Sequence, residues 1–447
     1  MPPLTRSQSR LAGVLLLLNI AVRFTLAPTA GYEGDLIMYQ HWGDVATQVG
    51  VGRIYDPASY TEHPRWVCDY PPVLPYLFGA ISAFYQSVTG RPTLLQTPTV
   101  TWPVKLLPIL ADLCIVFLIF FRLRRSASFN VALVASASFA FNPAVLFNSA
   151  YWGQTDSVVF FLVLLAMVFL SDRKPEWCAV TLTLAAFTKP FGYVLGPLAV
   201  IMILRNHGLK RLGTAALASL GTILLLFAPF ILAGNFVATA KTMVTQMVGM
   251  PNVSNNAHNL WGIVSFWRAL DAGTPFLGPL DYRHLGIMTF IAVYAVAFRR
   301  IKEVDSERAL ALLCGVGFAV FFMVMVHQHE NHLFGVLPFL ALVWPFERRV
   351  KWVFAAITIT FSINMLMHDP ALMAAVLDAD VERALEFYHV PPLQAGSLSG
   401  PIILWMLVVA ANIVTNVAIV GYAIRLVANR VLWVRLLGPP QNAIDET

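Results

Sequence analysis

Carboxylates, imidazoles and amides gather in five short stretches of this 447-residue chain. The first runs from Glu33-Gly34-Asp35 to His41-Trp42, the second is Asp69-Tyr70-Pro71-Pro72, and the third is Trp152-Gly153-Gln154-Thr155-Asp156. The fourth is Asn255-Asn256-Ala257-His258-Asn259-Leu260-Trp261, and the fifth, the densest, is His327-Gln328-His329-Glu330-Asn331-His332. Lys189 adds a cation beside Pro190. Carboxylates can accept protons, cations and amides can hold anions, and flat aromatic faces ringed by amides suit sugars. His327, His329 and Glu330 invite a metal reading, but their spacing does not align ligands on one helix face, and no metal is expected. Cys68, Cys114, Cys178 and Cys314 show no metal-ligand spacing and no disulfide framework.

The elements that must position these groups are apolar. Hydrophobic residues make up 58% of the chain and charged residues 12%, with a mean hydropathy of +0.68. Soluble domains are about 45–50% apolar and about 25% charged, so a water-facing globule is excluded. The net charge of +6 comes from basic clusters between apolar runs. That pattern reports membrane orientation, not nucleic-acid binding. A crossing takes about 20 mostly apolar residues. The candidate runs are 11–28, 103–121, 128–148, 156–171, 177–189, 190–204, 213–233, 284–298, 309–326, 333–346, 350–366 and 401–424. The chain therefore reads as one all-α polytopic membrane domain, 1–447, with about 12 transmembrane helices (11 to 13). Arg23 and a poor cleavage site make the first run an uncleaved helix and not a signal peptide.

Leaving residues 71–85 out of the count puts most of the 30 basic residues on one side, together with both termini. The positive-inside rule makes that side cytoplasmic, and 71–85 becomes an interfacial or re-entrant helix. The outer face then holds 29–102, 149–155, 234–283 and 367–400, long segments with short amphipathic helices. Each polar stretch also has a plain reading. Asp35 could be a helix N-cap, Tyr151 and Trp152 interfacial anchors, Lys189 a snorkelling side chain, and 253–262 turn chemistry. The 327–332 cluster is the hardest to dismiss, because ionisable groups at membrane depth are functional by default.

Taken in order, these motifs resemble the GT-C superfamily of integral-membrane glycosyltransferases, and most of all the branch of dolichyl-phosphate-glucose glucosyltransferases with its bacterial polyprenyl-phosphate-sugar-dependent relatives. Ala111-Asp112-Leu113, Asn142-Pro143 and Lys189-Pro190 belong to the same ordered set, and the likeness covers residues 11–350. The chain departs from the pattern at Phe191, Asn331 and His332. The resemblance implies inverting transfer of a hexose, mannose or glucose, from a polyprenyl-phosphate sugar to a lipid-linked or envelope glycan acceptor. It places the reaction on the extracytoplasmic face of a bacterial inner or plasma membrane, with membrane lipid as a partner, no nucleic acid and no cofactor. A phosphodiester leaving as a phosphomonoester needs no strong general acid, so one carboxylate suffices to take the acceptor's proton. That base is expected at Asp35, with Glu33, Asp69 and Asp156 as further catalytic or acceptor-binding carboxylates. His329, His332 and Lys189 are expected at the donor phosphate, with Arg283 or Lys241 as further cations. Trp42, Tyr70, Trp152, Gln154, Asn256, Trp261 and Glu330 are expected to contact sugar or lipid. The competing class is a lipid or polysaccharide transporter or flippase, which also sets charges near helix breaks. Against it, the polar residues concentrate on the outer face, with Arg23 and Asp112 the main mid-span exceptions, and no inverted repeat is visible.

Overall fold

The computed structural model describes residues 3–60, 66–91, 101–248, 252–265, 270–299, 301–369, 371–372 and 400–429. Arg300, Arg430, Arg435 and most of the 367–400 segment lie outside these residues. The chain divides into two compact units, Met1–Phe141 with Val145–Met250, and Asn142–Ala144 with Pro251–Thr447.

In the first unit, α1 (Arg6–Leu26) begins with a capping box. The Thr5 hydroxyl accepts from the Gln8 N–H, and the Gln8 side chain accepts from the Thr5 N–H. Helices α2 (Glu33–Gln48) and α3 (Val73–Thr89) follow in the described part of the 29–102 segment. Leu36, Tyr39, Trp42, Ile54, Tyr55, Tyr60, Leu74 and Phe78 share one core with Phe230. Then come α4 (Trp102–Leu123), α5 (Phe129–Ala140) and the short α6 (Pro143–Leu146), which runs into a π-helical turn, Phe147–Tyr151. Ser128 caps α5. Pro143, lacking an N–H, helps separate α5 from α6. Helices α7 (Asp156–Ser171) and α8 (Pro175–Ala186) follow, then a 3₁₀ turn, Pro190–Leu195, and α9 (Gly196–Leu232) and α10 (Phe236–Val248). Pro190 drives Lys189 into extended backbone, φ −143° and ψ 143°, and so fixes the break expected there.

In the second unit, β1 (Ser254–Asn255) precedes α11 (Leu260–Ser265), and β2 (Pro275–Leu277) pairs with β3 (Leu280–Asp281). Helix α12 (Tyr282–Ala297) starts on an Asp281 cap and α13 (Glu307–Val324) on a Ser306 cap. From Ala309 to Val324 every residue of α13 is buried, and α12 packs against it. Strand β4 (Gln328–His329), α14 (Leu337–Ala341), α15 (Arg348–Leu366) and α16 (Gly400–Ala428) complete the unit. Strands β1 and β4 are parallel, with Ser254 opposite Gln328 and Asn255 opposite His329.

The chain is thus an all-α polytopic membrane protein in its main mass. Among the described residues six helices are long and apolar enough to cross a membrane, or seven if α5 and the α6–π segment, bent by 46°, form one span. The count falls below twelve for two opposite reasons. The 12 residues of α8 reach only about 18 Å, short of the ~30 Å hydrocarbon layer. The 43 residues from Pro190 to Leu232 would reach about 65 Å as one rod. They bend where Gly208 leaves helical geometry, φ 76°, between Arg205 and Lys210.

Candidate active site

Two polar centres emerge, one in each unit. In the first, Asp35 sits in the opening turn of α2. Its Oδ2 accepts from the Gln154 amide at 2.7 Å and more weakly from the Tyr39 hydroxyl at 3.5 Å. No described residue bonds its Oδ1. Burial raises the Asp35 pKa, opposed by the Gln154 hydrogen bond and the Lys189 charge. Tyr39 and Tyr70 join hydroxyls at 3.0 Å. Asp69, next to Tyr70, has a buried Oδ1 with no hydrogen-bond partner among the described residues. Burial, then the charge of Asp35, push its pKa up to about 6. The peptide that carries it is held from behind: the Tyr55 hydroxyl donates to the Tyr70 carbonyl at 2.6 Å, and the Cys68 N–H donates to the Tyr60 hydroxyl at 3.1 Å. Lys189 pairs with Asp156 at 2.9 Å, both buried, and its ammonium lies 5.7 Å from the Tyr70 ring centre.

This centre rests on a polar network inside the apolar helices. Asp112 of α4 pairs with Arg23 of α1 and accepts from Ser149 and Ser157, all fully buried. Arg23 also donates to Asn19 and to the Ala140 carbonyl. The network ties α1, α4, the end of α5, the π-helical turn and the start of α7 into one frame. Gln154 and Asp156 project from that frame. The sequence marks Arg23 and Asp112 as mid-span charges; the structure makes each the other's partner.

In the second unit the paired strands bring the fourth and fifth stretches together. The His327 ring donates to the Asn252 carbonyl at 2.7 Å, and its N–H to Val253 O at 3.0 Å. Burial lowers the His327 pKa. His329 Nε2 lies 3.3 Å from the Asn255 amide, and its Nδ1 lies 4.0 Å from the buried Glu330 carboxylate. The His329 and His332 rings stand edge to face, 5.2 Å apart, both half-buried. Behind them is an amide and imidazole lattice. Asn364 accepts from the His258 N–H, and Asn416 donates to the His258 carbonyl. Asn412 donates to the Thr360 carbonyl, which fixes its amide, so its second bond at 2.7 Å makes His258 Nδ1 an acceptor. His258 therefore carries its proton on Nε2 and donates to His368 at 3.2 Å. Burial keeps both rings neutral, His368 with a pKa lowered to about 3.

The structure gathers Asp35, Asp69, Tyr70, Gln154, Asp156 and Lys189 in the first centre, and Asn256, His329, Glu330 and His332 in the second. Glu33 is exposed on α2. Trp42, Trp152 and Trp261 are at most 3% exposed. Trp42 packs on Tyr39, Tyr70 and Phe78, Trp152 meets Tyr32 edge-on, and Trp261 donates to the Val324 carbonyl at 2.7 Å. In this arrangement they are core residues and present no open ring face. Three residues escaped the sequence reading. Lys105 lay inside an apolar run, and Asn412 and Asn416 lay in a C-terminal helix beyond the family likeness. The signal for the asparagines was their spacing of four, which puts two amides on one face of an apolar helix.

An all-α membrane chain with a buried, hydrogen-bonded carboxylate beside its first helix has the make-up of a GT-C glycosyltransferase. The chain belongs to glycosyltransferase family 87, which matches residues 70–326. It is 23% identical over 375 residues to a "Probable dolichyl pyrophosphate Man9GlcNAc2 alpha-1,3-glucosyltransferase" of Caenorhabditis elegans, covering 76% of this chain and 69% of the relative. It is 21% identical over 190 residues to a "Dolichyl pyrophosphate Glc1Man9GlcNAc2 alpha-1,3-glucosyltransferase" of Candida glabrata, covering 40% of this chain and 34% of that one. The GT-C resemblance read from the motifs is borne out, and the chain is a membrane glycosyltransferase.

Proposed function

We propose that the protein moves a hexose, mannose or glucose, from a polyprenyl-phosphate sugar to a lipid-linked or envelope glycan, with inversion, and that Asp35 is the general base. The observation that carries this reading is the asymmetry of the Asp35 carboxylate. Gln154 orients Oδ2 at 2.7 Å, which leaves Oδ1 for an incoming hydroxyl. The acceptor oxygen, losing its proton to Asp35, bonds to the anomeric carbon as the bond from that carbon to the phosphate oxygen breaks. The electron pair leaves with the polyprenyl phosphate, which needs no protonation to depart. His329 and His332 are assigned to the donor phosphate as hydrogen-bond donors. Lys189 supports the carboxylates through Asp156. The basic clusters between the apolar runs are read as placing both termini in the cytoplasm and the 29–102 segment outside. The dolichol-linked relatives support lipid-linked donor and acceptor classes, and family membership favours transfer over transport.

Asp35→Asn tests the base. Tyr32, not Asp35, occupies the N-cap of α2, and asparagine keeps the size of the side chain and an oxygen to accept from Gln154 but cannot take a proton. Radiolabelled sugar transfer from polyprenyl-phosphate donors by purified protein should fall to near background. Retention of more than a tenth of wild-type turnover removes Asp35 as the base. A second reading makes Asp69 the base, favoured by its unpartnered Oδ1 and a pKa near 6, closer to the working pH of a general base. It requires Asp69→Asn to be the more damaging of the two.

A further inference from the structure

We propose that Lys105 is a positioning residue that sets the geometry of the Asp35–Gln154 pair by clamping together the two chain turns that carry it. This rests on the assignment of Asp35 as base. Lys105 stands in the first turns of α4 and is fully buried. Among the described residues its ammonium reaches no carboxylate. It donates to the Tyr151 carbonyl at 2.6 Å, to the Thr29 carbonyl at 2.8 Å and to the Thr29 hydroxyl at 3.3 Å. Thr29 lies just before α2, and Tyr151 ends the π-helical turn. The residues that follow these two anchors lead directly to Asp35 and Gln154.

Both turns are shaped to let the lysine in. Gly31 has φ +65°, and a Cβ there would collide with the Tyr151 carbonyl oxygen and meet Lys105 Nζ at 2.8 Å. Gly153 has φ +80°, and a Cβ there would lie 2.9 Å from Lys105 Cγ and 2.6 Å from Leu36. The Tyr32 N–H closes the arrangement with a bond to the Trp152 carbonyl at 3.2 Å. A buried ammonium bonded to oxygens of two turns 122 residues apart in sequence acts as a rivet. A hydrophobic side chain of the same length would remove this donor from both carbonyls, leaving Thr29 to the Thr101 hydroxyl at 2.9 Å, and would free the turns to shift. A shift of about 1 Å in a catalytic pair costs on the order of 10²-fold in rate.

The test is a double-mutant cycle in nanodiscs with a polyprenyl-phosphate sugar donor. Lys105→Met should lower kcat about 10²-fold with donor KM changed less than threefold. In a Gln154→Ala background, where the pair is already lost, the same change should cost less than fivefold. Equal losses in both backgrounds, or a loss below threefold in the wild type, overturn the proposal. If Lys105→Met does not fold, Gly153→Ala probes the same contact from the other side and should show the same non-additivity with Gln154→Ala. Asp35→Asn is assayed in parallel. An active Asp35→Asn protein refutes the base assignment, whereas an inactive one beside an unaffected Lys105→Met refutes the clamp alone.

Discussion

The two polar centres are built on opposite principles. The first gathers ionisable groups: three aspartates and Lys189, beside the buried pair Arg23–Asp112. The second holds neutral imidazoles in a lattice of asparagine amides around His258 and His368. Buried charges need partners of opposite sign or dense hydrogen bonding, and breaking one partner is costly. Neutral amides need only their own bonds satisfied. The difference teaches where each centre is vulnerable. The first fails when a charge loses its counterpart, the second when a ring is forced to take up a proton.

The largest effect expected from this contrast is on turnover. Asp35→Asn should cost about 10²–10⁴-fold, the usual contribution of a positioned base, while His329→Ala should cost less and act mainly on donor KM. His327→Ala should cost least of the three, because its ring is bonded to the Asn252 carbonyl. Steady-state kinetics on the three proteins decide it, and equal losses would erase the division of labour. Next is stability. Asp112→Ala strands Arg23 in an apolar frame and should destabilise by about 3–5 kcal/mol, read as a lowered unfolding midpoint in detergent. Asn416→Ala removes one neutral bond to a carbonyl and should cost about 1 kcal/mol.

The response to pH should differ in sign. Asp69 has a folded pKa raised to about 6, above the ordinary carboxylate value of about 3.9. Its contribution to stability is present below about pH 4 and is lost as pH rises through about 6. His368 is the reverse, lowered to about 3 from an ordinary value of about 6.5. Its contribution is present above about pH 6.5 and is lost as pH falls toward 3. Between pH 7 and 5, hydrogen-exchange protection, taken relative to the intrinsic rate at each pH, should rise around Tyr55 and Tyr70 and fall around His258. The same direction in both places would contradict the contrast. The smallest effect is expected from chelation: turnover in excess EDTA should stay within twofold, and loss restored by manganese or magnesium would reassign the 327–332 cluster to metal binding.

Hydropathy made most of the helices legible, because apolar runs of this length have few other fates. The break at Lys189-Pro190 was legible too, since proline constrains its predecessor whatever surrounds it. The partners of the polar residues were not. Asp35 and Gln154 are 119 positions apart, and nothing local in either stretch records the other. Lys105 was hidden for the same reason, its acceptors being backbone oxygens that every residue carries. The burial of the tryptophans was not legible either, because aromatic side chains beside polar ones look alike whether they line a site or support it. Trp42 and Trp261 spend their indole N–H groups on the carbonyls of Trp66 and Val324, a fact of the fold alone.

The parallel pairing of Ser254–Asn255 with Gln328–His329 has a consequence for divergence. Backbone bonds, not side chains, set that register, so the place occupied by residues 255 and 329 survives exchange of the residues themselves. A lineage can therefore change what these two positions recognise, one substitution at a time, without rebuilding the frame that presents them. The first centre offers no such freedom, since Asp35, Gln154 and Lys105 must be kept or altered together. Relatives acting on different sugars should accordingly vary at position 255 and keep a hydrogen-bond donor at 329, while retaining the lysine and both glycines of the clamp.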